Sequence, residues 1–180
     1  MSVLTYHTNT KSGNSSMGSG ILPIAEHNGR IYFLFGKECY LSADNGWSDF
    51  GGRTENNEGS MFGAIREGYE ETSGFLGDYN EIKNLVMNNT IATIESTNYK
   101  TFLFQIDYCE KLPVYYNKNF EFVSNNINKI IGKNGYHEKE KIKWFTYNEL
   151  KQNIKLFRCF YQPFLKIIIN NFNDISQQLK

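Results

Sequence analysis

Residues 51–74 read GGRTENNEGSMFGAIREGYEETSG, and this stretch decides how the rest of the chain is understood. It enters on Gly51-Gly52, runs through the loop-forming residues 53–59, and passes Ser60, a capping type, into a helix beginning near Met61. Ser73-Gly74 supplies a stop. Between these signals Phe62, Ile65 and Tyr69 form an apolar stripe that can pack on a sheet. Beside it Glu67, Glu70 and Glu71 fall at i, i+3 and i+4, on one face and one turn apart. Like charges at that spacing cost a helix about 0.2–0.5 kcal/mol per pair in water. In a cleft of lower dielectric, two carboxylates about 4 Å apart repel by roughly 4 kcal/mol. A divalent cation reverses that sign, and hard cations such as Mg²⁺ take oxygen ligands. The stretch reads as a metal site.

Upstream of it, residues 20–25 are a first strand, with Pro23 suggesting an edge or a strand start. Asn28-Gly29 is a hairpin signal, and residues 31–37 are apolar enough for a central strand. Residues 41–46 form a loop, and the short strand 47–50 delivers the chain to Gly51-Gly52. Downstream, 77–84 is a polar link before two strand candidates, 86–94 and 101–108, joined as a hairpin by the break at 96–98. Residues 119–131 suit a short helix and 141–145 a further strand. Thr146 can cap the turn that follows, with Glu149 at the capping-box position. A last helix over about 158–172 carries Phe160, Phe164, Leu165, Ile168, Ile169 and Phe172 on one face. This order predicts an α+β sandwich with the acidic helix packed on a mixed sheet. The polar residues 1–18 read as a flexible N-terminal arm, and 19–180 as a single domain.

With 19 basic and 19 acidic residues, no global field draws the chain to nucleic acid or to a membrane surface. Cys39, Cys109 and Cys159 are scattered and odd in number, the pattern of reduced thiols in a cytoplasmic protein. His7, His27 and His137 are isolated, which argues against zinc. No apolar run has the length of a membrane span.

The same stretch resembles the Nudix hydrolases, whose box is G-x5-E-x7-R-E-U-x-E-E-x-G-U with U a bulky apolar residue. Gly52, Glu58, Arg66, Glu67, Glu70 and Glu71 stand at the required spacing. Residues 47–52 resemble the strand entering the box, with Phe50 where many members carry Pro, and residues 142–150 resemble the late strand and short helix. Two positions depart. Gly68 replaces the apolar U residue, and Ser73 stands where the family has glycine, with Gly74 one residue later. The first removes a packing side chain; the second implies a helix exit shifted by one residue, closed by Phe75.

The resemblance implies a Nudix-type α/β/α sandwich with a mixed sheet and a loop-helix metal-binding motif. It implies hydrolysis of a pyrophosphate linkage in a nucleoside diphosphate joined to another moiety, with Mg²⁺ or Mn²⁺ as cofactor. Glu67 and Glu71 are the first choice of metal ligands, Glu70 the next, and the Gly51 carbonyl an added one. Glu58 and Arg66 suit a scaffold pair, because an arginine fork holds a carboxylate bidentately; Gly52 supports the turn. A further acid is expected outside the box at Glu138 or Glu140, with Glu140 preferred because it lies four residues before Trp144. The catalytic set is thus Glu67, Glu71 and Glu140, with Glu67 or the loop acid accepting the proton of water. Two other readings make different demands. Removal of mRNA caps requires a basic track for RNA, for which only Lys133, Lys139, Lys141 and Lys143 are in line, and these suit a solvated loop better. A non-catalytic nucleotide-binding module would bind without turnover, yet every box acid is present here. The substrate and the oligomeric state are not written in the sequence.

Overall fold

The computed structural model describes residues 3–8 and 17–179. Its strands are β1 (Leu4–His7), β2 (Gly18–His27), β3 (Arg30–Glu38), β4 (Trp47–Ser48), β5 (Phe50–Arg53), β6 (Thr90–Glu95), β7 (Tyr99–Gln105) and β8 (Lys139–Thr146). Its α-helices are α1 (Ser60–Thr72), α2 (Tyr79–Asn89), α3 (Lys111–Asn126), α4 (Tyr147–Gln152), α5 (Gln162–Asn170) and α6 (Phe172–Ser176). The sheet runs β1-β6-β7-β2-β3-β4, with β5 joined to β2 and β8 to β3. Pairs β1/β6 and β2/β7 are parallel and the others antiparallel, so the sheet is mixed.

Alternation along the central strands sorts side chains into two layers. Ile21, Ala25, Leu34, Phe102 and Phe104 face α1, α2 and α3, where they meet Ala64, Ile65, Ile82, Val86 and Tyr116. Leu22, Ile24, Phe33, Phe35 and Leu103 face the other way, onto Leu150, Phe164, Leu165, Ile168 and Ile175 of α4, α5 and α6. The α/β/α sandwich expected from the sequence is the observed architecture.

Several elements differ from the sequence reading. Leu4–His7, inside the expected arm, pair with β6 as a strand, while residues 9–16 of that arm lie outside the described residues. Pro23 sits inside a central strand, not at an edge. The Ile24 carbonyl accepts from Ile106 on the β7 side, so Pro23 turns its nitrogen to the opposite side. There the partner changes from β5, which ends at Ile21, to β3, which begins at Ile24, and the missing N–H costs no ladder bond. The expected link 77–84 and strand 86–94 are instead helix α2 followed by β6. Asp78 accepts from the Glu81 N–H and Glu81 from the Asp78 N–H, a complete capping box. Helix α3 begins at Lys111, earlier than expected; the last helix starts only at Gln162, which leaves Phe160 before it and 40% exposed, and it is broken into α5 and α6.

The hairpin at Asn28-Gly29 is as read: both residues have positive φ, 51° and 69°, and the register pairs His27 with Arg30. Thr146 caps α4 with Glu149 completing the reciprocal box.

Candidate active site

Helix α1 leaves the loop after β5 with Gly59 as its N-cap, so Ser60 is its first residue and not its cap. Its buried side consists of Gly63, Ala64, Ile65, Gly68, Glu71 and Thr72, while Phe62 is 45% exposed and lies off the core. Small residues bring the helix axis close to the sheet. At Gly68 a Cβ would lie 2.2 Å from Ile21 Cδ1. The side chain missing from the box is therefore supplied from across the interface by Ile21 of β2. Ser73 adopts the left-handed conformation, φ 52°, and its N–H bonds to the Glu70 carbonyl, so the helix ends where a family glycine would end it. The expected one-residue shift of the exit does not occur. Phe75 does pack inward, against Tyr116.

This close seating aims the acids at the two glycines of β5. Glu71 is 2% exposed, and its Oε2 accepts from the Gly51 N–H at 2.7 Å. A Cβ on Gly52 would lie 2.7 Å from the Glu67 carboxylate. Within a strand a residue's N–H and C=O face the same edge, so the Gly51 carbonyl shares the edge that meets Glu71.

Arg66 braces the outer side. It bonds to Glu58 through Nε at 3.2 Å and Nη2 at 3.1 Å, the fork expected of a scaffold pair. It also reaches Glu67 at 3.0 Å, Glu70 at 3.3 Å and the Arg53 carbonyl at 2.9 Å. Burial raises the Glu67 and Glu70 carboxyls; Arg66 opposes the rise, and Glu138 adds to it. Glu138 acts on Glu71 in the same way. Of the two late acids, then, it is Glu138 whose charge bears on the cluster. Glu140 points elsewhere and bonds to Lys37 at 2.5 Å. The cause is a bulge: Lys37 pairs with Lys141 but Glu38 with Lys139, which leaves Glu140 as the extra residue on β8 and re-aims both its neighbours.

The inner side holds groups that the sequence reading did not select. Lys139, read as part of a solvated loop, is fully buried. Its ammonium contacts Glu38 Oε1, Ser48 Oγ at 3.0 Å and Glu71 Oε1 at 3.3 Å. Arg158 reaches the same Glu38 oxygen at 2.8 Å. Burial works against the Lys139 charge, but Glu71 and Glu38 outweigh it and raise its pKa, so it is a cation. Burial pushes Glu71 well up, with Lys139 opposing. The Tyr116 hydroxyl lies 2.8 Å from the Glu71 carbonyl and 3.0 Å from that of Lys139, tying α3 to both elements. Beneath Gly51, Asp49 accepts from Tyr99 at 2.9 Å and Thr101 at 2.8 Å, and burial raises it to about 6. An acid between Trp47 and Phe50 in the short strand that enters the box is a signal for Asp49; nothing local marks Lys139.

An open cleft of about 630 Å³ lies against the outer side at Glu67, lined also by Arg53, Thr54, Glu55, Asn56 and Arg66. Among the described residues no helix is long and apolar enough to cross a membrane.

No family model matches the chain. Uncharacterized protein L534 of Acanthamoeba polyphaga mimivirus is 43% identical over 58 residues, which is 31% of this chain and 19% of that protein. The chain thus spans about a fifth of the curated relative it matches. Solved structures align over nearly the whole chain. An Ap4A hydrolase of C. elegans in a binary complex has a TM-score of 0.54 at 17% identity, covering 92% of this chain and 100% of the other. A bifunctional NMN adenylyltransferase/ADP ribose pyrophosphatase from Francisella tularensis, complexed with AMP and a Mn ion, has a TM-score of 0.57 at 13% identity, covering 90% and 43%. The Nudix hydrolase RenU of M. smegmatis has a TM-score of 0.51 at 11% identity, covering 91% and 88%. At these identities the likeness concerns the fold, and with the box residues gathered around α1 and β5 the conclusion is plain: the chain has the Nudix hydrolase fold.

Proposed function

We propose that this protein is a divalent-metal-dependent pyrophosphohydrolase that cleaves a nucleoside diphosphate joined to another moiety. The observation that carries this reading is the seating of α1 on Ile21, which sets Glu67 and Glu71 against Gly52 and Gly51, with Glu67 lining a polar cleft and Glu70 beside it on Arg66. The solved structures support it by name, one as an Ap4A hydrolase and one as an ADP ribose pyrophosphatase complexed with Mn.

The donors are of the type a hard cation takes, although among the described residues no three acids are already gathered around one point. Burial raises the carboxyl pKa values of Glu67 and Glu70, Arg66 opposes the rise, and Glu138 adds to it; burial and Glu38 raise Glu138, with Lys139 and Arg158 opposing. That is a site short of positive charge, with oxygen donors throughout. Glu67 and Glu70, each bonded to Arg66 through one oxygen, would hold the ion, with Glu71 behind them and the Gly51 carbonyl at the same edge. Bound there, Mg²⁺ or Mn²⁺ would neutralise phosphate charge and lower the pKa of a water. Glu67 lines the cleft and is the proposed proton acceptor, with Glu138 the loop acid near it. Arg66, locked by Glu58 and the Arg53 carbonyl, fixes the Glu67 carboxylate before substrate arrives. Glu140, in its pair with Lys37, has no part in this account.

Cap removal from RNA finds less support, because the lysine row offers no continuous track. Lys139 is buried and Lys143 pairs with Glu149 at 2.8 Å.

A panel of nucleotide pyrophosphates with Mg²⁺ or Mn²⁺ tests the proposal. Release of a nucleoside monophosphate is expected, reduced by roughly 100-fold or more in Glu67→Gln, as for loss of a general base. No turnover of any member with either ion would sink it.

A further inference from the structure

Lys139 exposes none of its surface, although it belongs to the charged run 138–141. Its stem lies against Gly36 of β3, where a Cβ would come within 2.8 Å of Lys139 Cγ and 2.9 Å of Cδ. The bulge between β3 and β8 turns it inward, and the absent side chain gives it a channel. At the end of that channel the ammonium has three N–H donors and three oxygen partners: Glu38 Oε1, Ser48 Oγ and Glu71 Oε1. The second oxygen of Glu71 is taken by the Gly51 N–H. Both oxygens of the innermost box acid are therefore engaged within the protein, one of them by a cation on a covalent tether.

We propose that Lys139 is a built-in cation of the acidic site. Its ammonium takes the place beside Glu71 that a further divalent ion would otherwise fill, and it fixes the Glu71 carboxylate beneath Gly51. The inference rests on the reading that Glu67 and Glu70 hold a divalent ion. Lys139 is a positioning residue: it acts through Glu71 and does not touch substrate. One consequence is that the exchangeable ion belongs to the outer acids alone.

The test is Mn²⁺ binding followed by electron paramagnetic resonance on the full chain without substrate. Lys139→Met combined with Glu38→Gln removes one buried charge of each sign, so the interior stays balanced. This double variant should bind one more Mn²⁺ equivalent, or bind it about tenfold more tightly, the scale on which such neighbouring groups tune metal sites. On the native chain, saturation with Mg²⁺ should leave the protected Lys139 ammonium signal in heteronuclear NMR in place, because the ion goes to the outer acids and Glu71 keeps its tethered cation. A folded double variant that binds Mn²⁺ as the native chain does would overturn the inference while leaving the proposed activity standing. So would displacement or loss of the Lys139 ammonium signal on Mg²⁺ saturation of the native chain, a result that decides the question alone if the double variant does not fold. Absence of Mn²⁺ binding by the native chain would remove the underlying reading and this inference with it.

Discussion

On the inner side of α1, Glu71 and Glu38 lie out of water against Lys139 and Arg158, whereas on the outer side Glu58, Glu67 and Glu70 share the single guanidinium of Arg66. The inner pairs are matched charge for charge, and the outer group carries an excess of negative charge. Both come from one helix, and Glu67 and Glu71 are only one turn apart. The difference lies in what faces each turn: β8 and β3 bring a lysine to the inner one, while the 53–58 loop brings Glu58 to the outer one. Inner charge is structural because it is already satisfied. Outer charge is available for a ligand because it is not.

Removing the inner cation should have the largest effect. Lys139→Met leaves Glu38 with Arg158 but strips Glu71 of its buried partner, and breaking such a pair costs about 3–5 kcal/mol. Urea unfolding monitored by circular dichroism measures it. A loss below about 1 kcal/mol, the scale of an exposed pair, would erase the distinction between the two sides.

Next comes Asp49, which lies beneath the inner group with its pKa raised by burial to about 6. A carboxyl raised in the folded state binds its proton more tightly there than in the unfolded chain. Stability is therefore lost as pH rises from about 4 to about 6, and the loss is complete above that window, about 3 kcal/mol in total. Asp49→Asn should remove this slope and gain on the native chain toward neutral pH. Parallel stability curves for the two proteins between those limits would show that Asp49 is solvated well enough to ionise freely.

A smaller effect is expected on the outer side. Arg66 is 22% exposed, so Arg66→Met should cost about 1–2 kcal/mol, the range of a few charge-assisted hydrogen bonds partly replaced by water. Because it leaves Glu67 and Glu70 without their cation, saturating Mn²⁺ should recover part of the loss. An equal loss with and without Mn²⁺ would place no ion at these acids.

The contrast also explains what could be read in advance. The outer group is a property of one segment: Glu58, Arg66, Glu67 and Glu70 owe their meeting to loop length and helical period, and both are visible in the chain. Hairpin Asn28-Gly29 and the Thr146–Glu149 box are legible for the same local reason. Helix α2 has an equally plain capping box at Asp78 and Glu81, but only Ile82 and Val86 are buried after it, too thin a stripe to announce a helix. The inner group is not local at all. Glu38 and Lys139 stand 101 residues apart, and they meet only because a bulge shifts the β3/β8 register and sends Glu140 to Lys37. Simple alternation cannot anticipate a register shift, so preferring Glu140 over Glu138 followed from a spacing that the bulge changes. Gly68 belongs to the same class, since its missing side chain is compensated by Ile21 from another strand.

The smallest effect falls on Glu58 and has the opposite sign of pH dependence to Asp49. Burial works to raise its pKa, but the Arg66 fork and the Glu55 N–H outweigh burial and leave it lowered. A carboxyl lowered by folding stabilises the protein above its unfolded pKa, and that stability disappears as pH falls through the folded value. Glu58→Gln should therefore cost about 1 kcal/mol at neutral pH, near the value of an exposed but bidentate pair, and less in acid. Placed beside Asp49→Asn, it makes the comparison quantitative. Between about pH 4 and 6 the inner substitution should gain on the native protein with rising pH, while the outer one should fall behind in its lower part. If both variants shift with pH in the same direction, the two acids share one environment, and the division of the site into a satisfied interior and an available rim fails.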